Sequence, residues 1–170
     1  MFCFLSLSKA ENVGSNTGYK IPRFVSLKSE ATNLRIGASL NYPIILRYNH
    51  KNMPIKIIEE NDKWRKILDI ENNQGWIHKD LIKGDRYAII NQPYASNTKI
   101  LDKPKGKIIG EIGKRNIVKI KRCISKWCLI DYKKNTGWIN KKNLWGVIEN
   151  EEINVPFYQI ISNLIWKLNI

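Results

Sequence analysis

Short runs of β-favouring, largely apolar residues alternate with polar, turn-forming residues along most of this chain. Their close, even spacing marks an all-β barrel or sandwich. The runs predict strands near residues 23–28, 33–36, 44–48, 54–60, 64–70 and 74–78, closing at Leu81. A second series follows near 87–90, 99–101, 107–112, 116–122, 127–132 and 136–139, closing at Leu144. Asn61-Asp62-Lys63 and Glu71-Asn72-Asn73 supply the polar, turn-prone residues that tight hairpins need. Only the last stretch changes period. Phe157, Ile160, Ile161, Leu164, Ile165 and Leu168 recur at helical spacing, which predicts a short C-terminal helix. Such a segment lies on a membrane or binds a partner, or else it docks on the second barrel or frays; with Lys167 alone on its polar face, docking or fraying is the better reading.

The two series repeat one sentence. Lys63-Trp64-Arg65-Lys66-Ile67 leads to Gly75-Trp76-Ile77, and Lys126-Trp127-Cys128-Leu129-Ile130 leads to Gly137-Trp138-Ile139. The first blocks lie 63 residues apart and the second blocks 62 apart, the signature of a duplicated structural unit. The expected organisation is a lead-in over 1–20, one small barrel over 21–84, a second over 85–148, and a tail over 149–170. Residues 11–20 are polar and glycine-rich and read as flexible.

Charge and cysteine change the picture in two respects. The chain carries 29 basic and 15 acidic residues, a formal +14. Lysine outnumbers arginine 22 to 7, and isoleucine and asparagine are abundant, so the excess reads first as compositional bias and second as attraction to an anionic partner. Met1 to Ala10 is a short apolar run ending in small residues, like the end of a secretory signal whose start lies further upstream. No apolar run approaches the roughly 20 residues of a membrane span. After such a signal, Cys123 and Cys128 remain, flanking a four-residue hairpin loop at bridgeable distance. A bridge implies an oxidising compartment; two half-buried thiols are the other reading. The bridge is the favoured reading, with strand parity as its one difficulty: inward Val118 and Ile120 put Cys123 on the outer face unless a bulge intervenes.

Candidate chemistry is sparse. The histidines are His50 and His78, and His78 is replaced by Asn140 in the second unit. No zinc spacing, phosphate loop or hydrolase motif occurs, so no metal, cofactor or catalytic residue is expected. The adjacent carboxylates Glu59-Glu60 read as a solvated strand end. Binding has more material. Arg35, Tyr42, Arg47, Trp64 and Arg65 are the candidate ligand residues of the first unit, combining aromatic area with cationic donors. Trp76 and Trp138, each following a glycine (Gly75, Gly137), read as buried core packers, while Trp64 and Trp127 remain open or closed.

Asn33-Leu34-Arg35-Ile36-Gly37-Ala38-Ser39 resembles the opening of bacterial SH3 domains, and Pro54 to Ile58 with the Trp64 and Gly75-Trp76-Ile77 blocks resembles their later strands. The second unit keeps the tryptophan blocks but has Ile100-Leu101-Asp102-Lys103 at its opening. The whole chain is similar to small exported bacterial proteins with two such domains and a cysteine on either side of the second tryptophan. The resemblance implies two tandem SH3-like barrels that bind rather than catalyse, in the periplasm or secreted at the cell envelope. The expected partner is peptidoglycan or an envelope protein segment. An adaptor for extended peptides is the first alternative, and a basic single-stranded nucleic-acid binder, which export disfavours, is the second.

Overall fold

The structure, a computed structural model, describes residues 12–91 and 97–155. The helix expected near residues 157–168 lies outside these; the described residues contain strands and two 3-10 turns and no α-helix. None of their helices is long and apolar enough to cross a membrane.

Two all-β units follow one another. The first comprises β1 (Arg23–Leu27), β2 (Thr32–Arg35), β3 (Ile44–Tyr48), β4 (Pro54–Asn61), β5 (Trp64–Leu68), β6 (Gln74–His78), a 3-10 turn (Lys79–Leu81) and β7 (Ile82–Lys83). The second comprises β8 (Tyr87–Ile90), β9 (Thr98–Leu101), β10 (Ile108–Ile112), β11 (Ile117–Ile124), β12 (Trp127–Tyr132), β13 (Asn135–Asn140), a 3-10 turn (Lys141–Asn143) and β14 (Leu144–Trp145). The antiparallel orders are β3-β2-β6-β5-β4-β1-β7 and β10-β9-β13-β12-β11-β8-β14, identical once seven is added to each label. The duplicated sequence is therefore a duplicated SH3-like barrel.

Alternation explains the cores. Val25, Leu27, Ile55, Ile57, Ile67 and Ile77 form the first, and Ala88, Ile90, Val118, Ile120, Ile130 and Ile139 occupy the matching places in the second. Each fully buried isoleucine contributes about 1.5–3 kcal/mol, enough for barrels of this size to close.

The same alternation corrects the reading of the Gly-Trp-Ile blocks. Gly75, Ile77, Gly137 and Ile139 point inward, so Trp76 and Trp138, one residue away, stand on the opposite face and are only half-buried. The glycines are the close-packed members. A Cβ on Gly75 would meet the Arg35 carbonyl oxygen and the Leu34 side chain at 2.7 Å.

One irregularity recurs in both units. The β4–β5 register slips between Ile57 and Glu59, and the β11–β12 register slips between Ile120 and Arg122. A bulge moves the residues beyond it to the other face. Cys123 and Cys128 are thus cross-strand partners with Cα atoms 4.1 Å apart, fully buried and disulfide-bonded. In the first unit the equivalent cross-strand partners are Glu60 and Arg65.

The units pack directly. Phe24, 5 % exposed, meets the Trp145 ring edge-on at 5.0 Å, the Lys83 ammonium lies 5.1 Å from the Tyr87 ring, and Arg115 pairs with Glu71 at 2.7 Å.

Candidate functional site

Glu60 and Arg65 are not a surface pair. Both are buried, Glu60 to 7 % and Arg65 to 5 % exposure, which overturns the solvated reading of Glu60 and removes Arg65 from the ligand candidates. Residues 12–20 are equally unlike a flexible lead-in. They close a short loop through a Val13–Lys20 bridge, and the loop straps Glu60. The carboxylate accepts from Asn16 N (3.1 Å), Thr17 N (3.0 Å), Thr17 Oγ1 (2.8 Å) and Arg23 Nη2 (2.6 Å), and Arg65 Nε stands 3.4 Å away. Burial alone would raise the Glu60 pKa, but the bonds from Arg23, Thr17 and the two amides overcome it and bring it to about 2. Arg65 Nη1 donates to the carbonyls of Asp62 and Trp64, both at 2.8 Å.

The second unit is strapped from the other end of the chain. Ile153 pairs with Cys123 through both backbone bonds, and the Arg86 guanidinium binds Glu151 and the Gly146 carbonyl. Lys141, 6 % exposed, donates to the carbonyls of Glu149 (3.2 Å) and Glu151 (2.6 Å).

The remaining first-unit candidates divide. Arg35 donates to the carbonyls of Leu40 (3.0 Å) and Tyr42 (2.7 Å), so its role is to hold the loop between β2 and β3. Tyr42, half-exposed, lies across Gly37 in that loop. Arg47 is exposed on edge strand β3, opposite Asn33. Trp64 is only 9 % exposed. The imidazole of His78, its cross-strand partner, stands edge-on to it at 5.3 Å and 84°. The five residues therefore do not form one open groove.

The open groove is in the second unit, on the equivalent face. Asn140 replaces His78 opposite Trp127, Glu111 replaces Arg47, and Lys99 replaces Asn33. The smaller side chain leaves Trp127 half-buried in a cleft of about 610 Å³. Its walls are Asn97 just before β9, Lys99 and Leu101 on β9, Glu111 on β10, and Asn140, Lys142 and Asn143 at the end of β13 and the following turn. Asn140 Oδ1 caps that turn by accepting from Lys142 N at 3.1 Å, and its Nδ2 makes no hydrogen bond among the described residues. Asn97 Nδ2 donates to Glu111 Oε2 at 3.3 Å. The cleft thus presents one aromatic surface, the amide donor of Asn140, two ammonium groups and the Glu111 carboxylate, which Asn97 holds. Sequence reasoning placed ligand binding around Trp64; the exchange of His78 for Asn140 was the visible signal that the second tryptophan is the open one.

The Bacterial SH3 domain profile matches residues 28–84 and 103–146. The chain belongs to that family. In this bacterial SH3 protein the match leaves out the opening strand of both units, β1 and β8, and in the second unit β9 as well. Similar solved structures are NlpC2 from Trichomonas vaginalis (16 % identity, TM-score 0.33, covering 75 % of this chain and 49 % of that one) and NlpC1 from the same organism (17 %, 0.31, 85 % and 50 %). An NlpC/P60 family protein from Bacillus cereus is a third (10 %, 0.33, 82 % and 61 %). The bacterial SH3 chain spans about half to three-fifths of the length of these structures. No curated protein matches it.

Proposed function

We propose that this is an exported, non-catalytic binding protein of the cell envelope, whose second unit takes a peptidoglycan-type wall polymer in the Trp127 cleft. The observation that carries the reading is the composition of that cleft. A tryptophan face packs against the apolar face of a sugar ring, the amide donor of Asn140 suits hydroxyl and acetamido oxygens, and Lys99 and Lys142 suit peptide-stem carboxylates. His78 is engaged with Trp64 and the Asp80 amide, and both described cysteines are bonded to each other, which supports binding rather than nucleophilic chemistry. A buried disulfide and membership of a bacterial family support a place outside the cytoplasm.

The test is co-sedimentation of the full chain with purified sacculi. Trp127→Ala should weaken retention by about 2 kcal/mol, roughly thirtyfold, with circular dichroism unchanged. Retention that survives Trp127→Ala in a folded variant rejects the cleft. A second reading, capture of an extended peptide by strand addition, is favoured by edge strand β3, where Ile44 and Ile45 are each 49 % exposed. Ile45→Pro should abolish that mode and leave sacculus binding intact.

A further inference from the structure

Exposed apolar side chains gather on the loop between β2 and β3 and at the start of β3. Ile36, Leu40, Tyr42, Ile44 and Ile45 are all exposed, Leu40 to 72 % and Ile36 to 62 %. Ile45 is left out of the ladder, since Leu34 pairs with Leu46 and Arg35 with Ile44. The barrel does not require an apolar loop here. The second unit closes the same hairpin with Asp102-Lys103-Pro104-Lys105-Gly106-Lys107, where the Asp102 carboxylate accepts from Lys103 N and Lys107 N. An apolar patch that the core does not use marks a surface of contact.

Two features say what covers it. The loop meets much of its hydrogen bonding internally. Arg35 Nη1 donates to the Leu40 and Tyr42 carbonyls, Ile36 N to the Pro43 carbonyl (3.1 Å), Asn41 N to Ser39 Oγ (3.2 Å) and Tyr42 N to the Ser39 carbonyl (3.3 Å). A protein partner could supply such bonds and hydrocarbon cannot, so internal satisfaction suits a segment that faces lipid. The charge is also one-sided. No carboxylate occurs between Glu30 and Glu59, whereas Arg35, Arg47, Lys51 and Lys56 do. Arg47, exposed on β3, has no ion-pair partner among the described residues. Beyond Arg35, which pairs with Trp76 of β6, the loop runs toward the turn at 71–73. The Glu71 carboxylate of that turn is taken by Arg115.

We propose that the β2–β3 loop seats the protein on an anionic lipid bilayer. Ile36 and Leu40 enter the acyl boundary, with Ile44 and Ile45 at its edge. Tyr42, fixed across Gly37, holds its ring at headgroup depth, and Arg47 meets the anionic headgroups. The loop shares no residue with the Trp127 cleft, so the lipid contact goes beyond the wall-polymer reading and does not depend on it.

The test is co-sedimentation of the full chain with phosphatidylglycerol-rich vesicles, with pure phosphatidylcholine vesicles as the comparison. The chain should sediment with the first and more weakly with the second. Ile36→Ser with Leu40→Ser removes two side chains that support no core. Circular dichroism and Tm should therefore hold while affinity falls about tenfold or more. Arg47→Gln should weaken binding to the anionic vesicles about fivefold and leave the neutral ones unchanged. Leu40→Trp should add a component to the tryptophan emission that shifts to the blue on vesicles, which adsorption by charge alone would not produce. Trp127→Ala should sediment with vesicles like the wild type while losing sacculus retention, so the lipid contact and the cleft fail separately. No binding to anionic vesicles, or undiminished binding of the double serine variant, would overturn the proposal. So would a lipid-free dimer that the double variant abolishes, because a second copy would then be the cover of the patch.

Discussion

Two hairpin ends, equivalent in backbone, are locked by different chemistry. At the end of β4–β5 the cross-strand pair beyond the bulge is Glu60–Arg65; at the end of β11–β12 it is Cys123–Cys128. The disulfide needs no polar side-chain partner: both sulfurs are apolar enough to join the core, and the Ile153 strap covers them. The ion pair cannot stand alone. Two buried charges lose hydration that their mutual attraction does not restore, so further hydrogen bonds must complete them. Asn16, Thr17 and Arg23 supply those bonds, which explains why a polar, glycine-containing lead-in is ordered. The comparison teaches that a buried ionic lock recruits a strap as part of itself, whereas a covalent lock needs only cover.

The largest way to break the comparison is Glu60→Ala. It strands Arg65 and Arg23 without their carboxylate, and denaturant unfolding should show a loss of about 3–5 kcal/mol. A loss under about 1 kcal/mol would mean the pair is solvated and the contrast with the disulfide false. A pH series sharpens the same point. Glu60 is held below its ordinary value, so its contribution is whole above about pH 4.5 and declines as pH falls toward about 2. The wild type should therefore lose on the order of 2 kcal/mol over that window through this group, and Glu60→Gln should lose correspondingly less. The smallest effect is expected from the covalent side. Cys123→Ser with Cys128→Ser opens a loop of few residues, and the chain-entropy contribution of so short a loop is about 2 kcal/mol or less. A larger loss would show that burial of two hydroxyls, rather than loss of the crosslink, dominates.

Most strands were legible because β-favouring runs stand between turn-forming residues, and β3, β6, β8 and β12 fall where those runs lie. Trp76 and Trp138 were misread although the information was present: Ile77 and Ile139 face inward, so their neighbours cannot. Arg65 follows the same rule, two residues from inward Ile67, and the 63-residue repeat makes it the equivalent of Cys128. What alternation cannot announce is the bulge. It inverts parity locally, buries Glu60 and Cys123, and depends on backbone pairing that side-chain chemistry does not encode. The state of Trp64 and Trp127 was open for another reason. Each sits on the outer face, and its exposure is decided by the cross-strand neighbour, imidazole in one unit and a carboxamide in the other.

The identity of the two strand orders has a cost during folding. Tandem copies offer one another's strands as partners, and misassembly between repeats is a characteristic failure of such chains. Here the unlike locks act as a proofreading step. A β4 strand laid against β12 would bring Glu60 opposite Cys128, and β11 against β5 would bring Cys123 opposite Arg65. Either hybrid separates Glu60 from Arg65 and leaves a thiol with no mate. Only the register in which each hairpin closes on itself satisfies both ends, so the divergence of one cross-strand pair keeps two otherwise interchangeable barrels from trading parts.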